Sequence, residues 1–260
     1  MTGDDDPGLE LVEAAAVADG FGADAVRVGG AVCAVAARIE EVTINRVIGL
    51  GISEPATGAA LDRIADVYGS IRHAIALAPG ARPAGLAAML RERGYEPAHA
   101  WIKFARAAAD PPAPATDLRI ERIGPERADE FTAVLAAGFQ IPKTVTAMLS
   151  HLPGRPGWSW YLAQDGDEPV ACGALFVHGR HGWLGQAATL PAHRRRGAQS
   201  ALIAARIRAA AEAGAEVVVT ETGEIVDDRP TISYHNILRA GFRAAYLRPN
   251  YVSPPADAAA

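Results

Sequence analysis

Residues Gly185 to Gly214 read GQAATLPAHRRRGAQSALIAARIRAAAEAG. Gln186 to Leu190 is a short apolar run containing the β-branched Thr189, and Pro191 ends it, which describes a buried strand that stops abruptly. Arg194, Arg195 and Arg196 follow, then Gly197. Beyond them Leu202, Ile203, Ile207, Ala210 and Ala211 recur at helical spacing, with Gly214 as the C-terminal stop. The order is strand, basic glycine-containing loop, helix N-terminus. A helix start leaves backbone N–H groups unpaired and carries partial positive charge, so it favours a bound phosphate. Gly197 lets the backbone approach such an anion closely, and the arginines add charge-assisted hydrogen bonds. The alternative reading is an exposed arginine run at an ordinary helix start.

At these residues the chain resembles the GCN5-related N-acetyltransferase family, whose pyrophosphate loop R/Q-x-x-G-x-G/A lies between the fourth strand and the third helix of its fold. The matching run is Arg194-Arg195-Arg196-Gly197-Ala198-Gln199, with Gln199 where the family has a small residue and Ser200 directly after it. The run Ser233-Tyr234-His235-Asn236-Ile237-Leu238-Arg239-Ala240-Gly241-Phe242 resembles a later family feature, a helix ending in Gly-Phe. The resemblance spans roughly Leu118 to Val252.

Composition sets aside other classes. Half of the 260 residues are apolar and the formal net charge is -5, which argues against a protein that coats nucleic acid by neutralising phosphates. Only Cys33 and Cys172 occur, far apart and without metal-ligand spacing, so neither a disulfide framework nor a metal site is expected. The N-terminus is acidic and no apolar run approaches membrane-spanning length, so the expectation is a cytoplasmic protein without membrane partners. No G-x-G-x-x-G follows a strand and no G-x-x-x-x-G-K-[ST] occurs, which disfavours dinucleotide and P-loop chemistry.

In the first half, Leu9–Ala18 reads as a helix, Val26–Ala36 and Val42–Gly51 as strands, and Ala59–Tyr68 as a helix. His73–Ala78 follows as a strand, Pro83–Arg93 as a helix closed by Gly94, and Ala98–Arg106 as a strand. Strand, helix, strand, helix ending in Gly-aromatic and strand also describe Trp183 to Val252. The likeness of order suggests an internal duplication. The segment Ile52 to Gly58 stands where the arginine loop would be, and it offers Glu54 and no arginine, so it repels a phosphate. The expectation is a mixed-sheet α/β protein of two tandem acyl-CoA N-acyltransferase-like domains. A degenerate domain covers 1–109, a proline-rich linker 110–116, the acetyl-CoA-binding domain 117–254 and a disordered tail 255–260.

In the second half, Leu118–Ile123 reads as a strand, Pro125–Gly138 and Pro142–Leu152 as helices, and Trp158–Gln164 with Pro169–Phe176 as a hairpin about Asp165-Gly166-Asp167. Ala215–Thr220 is a strand, Ser233–Ala240 a helix and Arg243–Val252 a final strand. Trp158 and Trp160 read as packing aromatics ahead of pocket aromatics.

The resemblance implies direct acetyl transfer from acetyl-CoA to an amine, with no metal. Backbone N–H groups of a splayed strand, here Ala187, Ala188 and Thr189, would serve the developing oxyanion. Arg194, Arg195, Arg196, Gly197, Ala198, Gln199 and Ser200 would hold the pyrophosphate, and Asn236 the pantetheine arm or local backbone. The family's usual tyrosine, four residues before the helix-ending glycine, is replaced by Ile237. Tyr234 lies about one turn earlier, with a catalytic acid and a packed tyrosine as its two readings. Glu221 is the candidate base ahead of Glu224, with a solvated loop carboxylate as its alternative. His193 and His235 read as surface or packing residues, having no carboxylate paired in local sequence. The acceptor class (small amine, antibiotic, peptide N-terminus or lysine side chain) is left open, as is monomer against homodimer. A non-catalytic acyl-CoA-binding or regulatory module is the rival function.

Overall fold

The computed structural model describes residues 6–21, 24–39, 41–227 and 231–255. Its elements in chain order are α1 (Gly8–Phe21), β1 (Ala25–Val28), β2 (Ala31–Ala34), β3 (Arg46–Ile48), α2 (Gly58–Tyr68), β4 (Ala74–Ala76), α3 (Leu86–Glu92) and β5 (Glu96–Ala107). There follow β6 (Arg119–Ile123), α4 (Ala128–Phe139), α5 (Lys143–Ala147), β7 (Trp158–Asp165), β8 (Glu168–His178) and β9 (His181–Thr189). The last elements are α6 (Ala198–Glu212), β10 (Val217–Gly223), α7 (Ile232–Arg239) and β11 (Arg243–Val252). This is a mixed α/β fold. One expected strand is corrected: Val26–Ala36 is a hairpin in which Val28 pairs with Ala31, because Gly29 and Gly30 both take positive φ and turn the chain. Of the tail expected at 255–260, residues 256–260 lie outside the described residues.

The chain divides into two compact units. The first holds the described residues up to Lys103 together with those from Ala245 on; the second runs from Phe104 to Ala244. The division therefore falls inside β5 and β11, rather than at the proline-rich segment 110–116. The first unit, though built from the N-terminal half, takes its last strand from the C-terminal end of the chain.

In the first unit the strand order is β1-β2-β3-β4-β11, with the first part of β5 beside β11. β3 and β4 are parallel and joined through α2, while β4 and β11 are antiparallel. Strand alternation supplies two faces. Ala31 and Cys33 join Leu61, Ile64 and Leu90 on one, and Val32 and Ala34 join Ala14 and Val17 of α1 on the other. Helix α2 starts at Thr57, whose hydroxyl accepts the Ala60 N–H at 3.1 Å. In the loop before it, Ala56 N–H donates to Arg82 O at 2.8 Å and Arg82 N–H to Gly51 O at 2.9 Å. The segment that stands in the arginine loop's place is thus closed onto its neighbour.

In the second unit the order is the end of β5, then β10-β9-β8-β7-β6. β6 to β9 form an antiparallel meander, and α6 crosses over to put β10 parallel to β9. On β7 the even and odd side chains part. Trp160 packs at a tilt against Phe131 of α4 with ring centroids 3.9 Å apart, while Tyr161 and Ala163 pack with Ala198 and Leu202 of α6. Trp158 and Trp183 join the Trp160 side, so the tryptophans of the hairpin are core. The two cysteines are buried and unbridged, and no helix among the described residues is long and apolar enough to cross a membrane.

Candidate functional site

Two local features of β9 prepare the site. Its register with β10 runs from His181 to Trp183 against Val217 to Val219, and Thr220 Oγ1 donates to Leu184 O at 2.9 Å just beyond. After that point the two parallel strands share no paired positions among the described residues, so they form a fork. On the other side, Cys172 opposes Ala188 and Ala174 opposes Gly185, leaving two β9 residues against one on β8. This is a β-bulge, and Gln186 within it takes φ 49°. A bulge re-aims the backbone that follows it, here Ala187 to Thr189.

The loop after β9 runs through one 3-10 turn, Pro191–His193, and then alternates backbone handedness. Arg194 is extended at φ -66°, Arg195 has φ 65°, and Gly197 has φ 80° at the N-cap of α6. Alternating conformations of this kind turn successive N–H groups toward one concavity, and the helix dipole adds positive potential there. No side chain caps α6, which leaves its first N–H groups to be satisfied from outside the helix.

A cavity of about 720 Å³ opens at this point, a volume within the ordinary range for a small-molecule site. Ala187, Ala188 and Thr189 line it from the strand; Arg194, Arg195, Gly197, Ala198, Gln199 and Ser200 from the loop and helix start; Asn236 from α7. The expected cofactor residues therefore converge, with one exception. Arg196 is not among the lining residues. Its guanidinium is held by Asp165 of the β7–β8 turn and by Asp117 ahead of β6. The hydrogen bonds from Arg196 hold both carboxyls below their usual range and raise the arginine in turn. Thr116 Oγ1 also donates to Arg196 O at 2.7 Å. The side chain of Arg196 is a staple from the loop to the hairpin. The side chains of Arg194 and Arg195 are exposed and carry no ion pair or hydrogen bond among the described residues, so they are the uncommitted cations of the loop.

Gln199 and Asn236 meet each other. Asn236 Nδ2 donates to Gln199 Oε1 at 2.7 Å, and Arg239 Nη1 donates to Asn236 Oδ1 at 2.8 Å. The glutamine that departs from the family's loop pattern thus ties α6 to α7.

Neither expected proton-transfer residue lines the cavity. Ile232, His235, Asn236 and Arg239 do, at helical spacing i, i+3, i+4 and i+7 on one face of α7. Tyr234 is two residues from Ile232, about 200° round the helix, and its ring packs edge-on against Phe104 at 5.5 Å. Glu221 sits within β10, on the face opposite Thr220 and Thr222, rather than after the strand. The residues that sequence reasoning passed over are Ser233, His235, His193, Phe139 and Arg206, all cavity-lining. The α7 spacing was a usable signal for His235. For His193 there was none, since its carboxylate neighbour Asp165, 3.6 Å away, comes from the distant hairpin. Among the described residues no group of three or more histidine, cysteine or acidic side chains could hold a metal ion.

Residues 128–242 match the model of the Acetyltransferase (GNAT) family. The structure of a GCN5-related N-acetyltransferase from Kribbella flavida superposes with a TM-score of 0.65 at 18% identity, covering 95% of this chain and 95% of that one. A GCN5-related N-acetyltransferase from Sphaerobacter thermophilus gives 0.59 at 12% identity over 86% and 80%. A tandem GNAT protein from the clavulanic acid biosynthesis pathway gives 0.54 at 15% identity over 80% and 74%. At these identities the likeness is one of fold. No curated protein matches the chain in sequence. The loop Arg194–Ser200, the β9 fork and α7 all fall inside the segment, 128–242, that matches the acetyltransferase (GNAT) family model.

Proposed function

We propose that the second unit is an N-acetyltransferase that takes its acetyl group from acetyl-CoA and delivers it directly to an amine. The observation that carries the reading is the joining, in one cavity, of an uncapped helix N-terminus, two uncommitted arginines and a forked strand with a bulge. Gly197 takes φ 80° at the helix start, the backbone turn that brings the loop onto α6. Acetyl-CoA supplies the activated acyl group. Arg194 and Arg195, with the N–H groups at the start of α6, hold its pyrophosphate; the backbone of Ala187 to Thr189 orients the thioester end. The first unit has no arginine in the matching loop and acts as a framing, tandem-derived unit.

Titration calorimetry with acetyl-CoA tests this directly: one site per chain is expected. Replacing Arg194 and Arg195 together by alanine is expected to weaken binding by roughly tenfold or more, about 1.4 kcal/mol. Two sites would overturn the framing role of the first unit, and an unchanged affinity in the double variant would overturn the loop assignment.

The proton from the amine falls to His235, the imidazole on the cavity-facing side of α7. His235→Ala is expected to lower kcat by about a hundredfold, whereas Tyr234→Phe is expected to change it by only a few-fold. A reversed pair of results would return the role to Tyr234.

The lining residues include no Asp, Glu or Tyr, and that observation favours a second reading, an acyl-CoA-binding module without catalysis. Thiol release over a panel of amines separates the two.

A further inference from the structure

Arg206 lies on the third turn of α6 and is 2% exposed, yet none of the described carboxylates pairs with it. Burial pushes its guanidinium down to about 10, so it remains charged at neutral pH. A buried cation is retained only where polar partners compensate its lost hydration. Here the partners are carbonyl oxygens. Nε donates to Leu202 O at 3.0 Å, and Nη1 donates to Ala174 O at 3.1 Å and to Gly185 O at 3.2 Å.

The last two oxygens belong to the one pair, Ala174 opposite Gly185, at which the β8–β9 register resumes after the bulge. The same Gly185 follows Leu184, the last position tied to β10. One guanidinium therefore clamps both strands at the apex of the fork and at the edge of the bulge. Space for it exists because the residue left unmatched on β8 is Gly173, where a Cβ would stand 2.9 Å from Arg206 Cζ. Arg206 also lines the cavity, and its Nη2 amino group makes no hydrogen bond among the described residues.

We infer that Arg206 is the positioning residue of the acyl end of the site. By holding Gly185 and Ala174 it fixes the turn at Gln186, and so the direction in which the backbone of Ala187 and Ala188 faces the thioester carbonyl. Nη1 reaches both strands while Nε holds Leu202 O, a planar arrangement that an ammonium on a lysine stem reproduces only in part. The inference rests on the acyltransferase reading above.

The test uses the full chain and [1-13C]acetyl-CoA. Bound to the wild-type protein, the isotope-edited infrared carbonyl band is expected below its position in free acetyl-CoA, because oriented N–H donors polarise the carbonyl. In Arg206→Met, and independently in Gly173→Ala, which displaces the guanidinium without removing it, the band is expected to move back toward the free position. The Kd for acetyl-CoA should change by less than about threefold, since the pyrophosphate loop is untouched. Turnover should fall by roughly a hundredfold in kcat, the usual cost of about 1 Å of misplacement, with KM for the amine little changed. Arg206→Lys should recover part of both signals.

No binding by the wild-type protein overturns the acyltransferase reading and this inference with it. Binding with an unshifted wild-type band overturns this inference alone, as does a band or kcat that a folded Arg206→Met or Gly173→Ala leaves unchanged.

Discussion

Gly197→Val is expected to lower acetyl-CoA affinity by more than about a hundredfold, roughly 2.8 kcal/mol, while the protein stays folded. Gly197 has φ 80°, a region that costs an ordinary L-residue about 1–2 kcal/mol and a β-branched one more. Strain alone would be tolerable. The larger effect is spatial: a Cβ at this position would stand 2.5 Å from Ala115 O and 3.2 Å from Thr116 Cβ. Backbone oxygen cannot move aside as a flexible side chain can. The loop would have to lift, carrying with it the first N–H groups of α6 and the Arg194–Arg195 backbone that make the anion cradle. Gly214 is a useful comparison, because its φ is 85° but nothing lies within 4 Å of its Cβ position. Gly214→Ala is therefore expected to cost about 1 kcal/mol of stability and no affinity. Calorimetric titration with thermal unfolding in parallel checks both. Equal affinity in Gly197→Val and the wild-type protein would show that the α6 N-terminus is not where the anion sits.

A second large effect is expected in the first unit. Glu13 of α1 is fully buried and surrounded by cations: Arg248 Nη1 donates to it at 2.7 Å, Arg46 Nη2 at 2.7 Å, and Lys103 Nζ lies in direct contact. Arg248 also reaches Glu10 at 2.9 Å, and Tyr246 Oη donates to Glu10 at 2.7 Å. Burial alone would raise the Glu13 carboxyl, but Arg248, Lys103 and Arg46 outweigh it and hold the group well below the usual value near 4.5. Removing one member of a buried cluster leaves uncompensated charge behind, at a cost of about 3–5 kcal/mol. Glu13→Ala is accordingly expected to lower the melting temperature of the first unit by about 10 °C or more.

The sign with pH follows from the depressed folded value. The stabilisation is fully present above the unfolded carboxylate range and is lost as pH falls through the folded value. Wild-type stability should then decline in acid, and Glu13→Ala should show a shallower decline from a lower plateau. A melting temperature within about 2 °C of wild type at neutral pH would mean that the cluster contributes little.

Local periodicity carried most of the element order. Leu202, Ile203, Ile207 and Ala210 at helical spacing, closed by Gly214, marked α6 within a residue or two of its ends, and Arg243–Val252 coincides with β11. The hairpin about Asp165–Asp167 was equally legible, because turn residues and alternation act over neighbouring positions. Less visible was the Val26–Ala36 hairpin, where two glycines inside one apolar run looked like interruptions. Membership of β11 in the first unit has no local signature, since strand pairing is decided by partners far along the chain.

The site divides along the same line. The strand–arginine loop–glycine–helix order, and with it the expectation of an anion cradle, is legible along the chain, because caps, dipoles and φ-permissive glycines are properties of a few adjacent residues. Which arginine is free to use follows from contacts between distant segments. Arg196 is neutralised by Asp165, 31 positions away, and by Asp117, 79 positions away, while Arg194 and Arg195 stay open to the cavity. Tertiary packing likewise placed His193 beside Asp165, joined Gln199 to Asn236, turned Tyr234 from the cavity and buried Arg206 at the apex of the fork. Electrostatic and hydrogen-bond partners act through space, over a few ångströms, and distance along the chain does not report them.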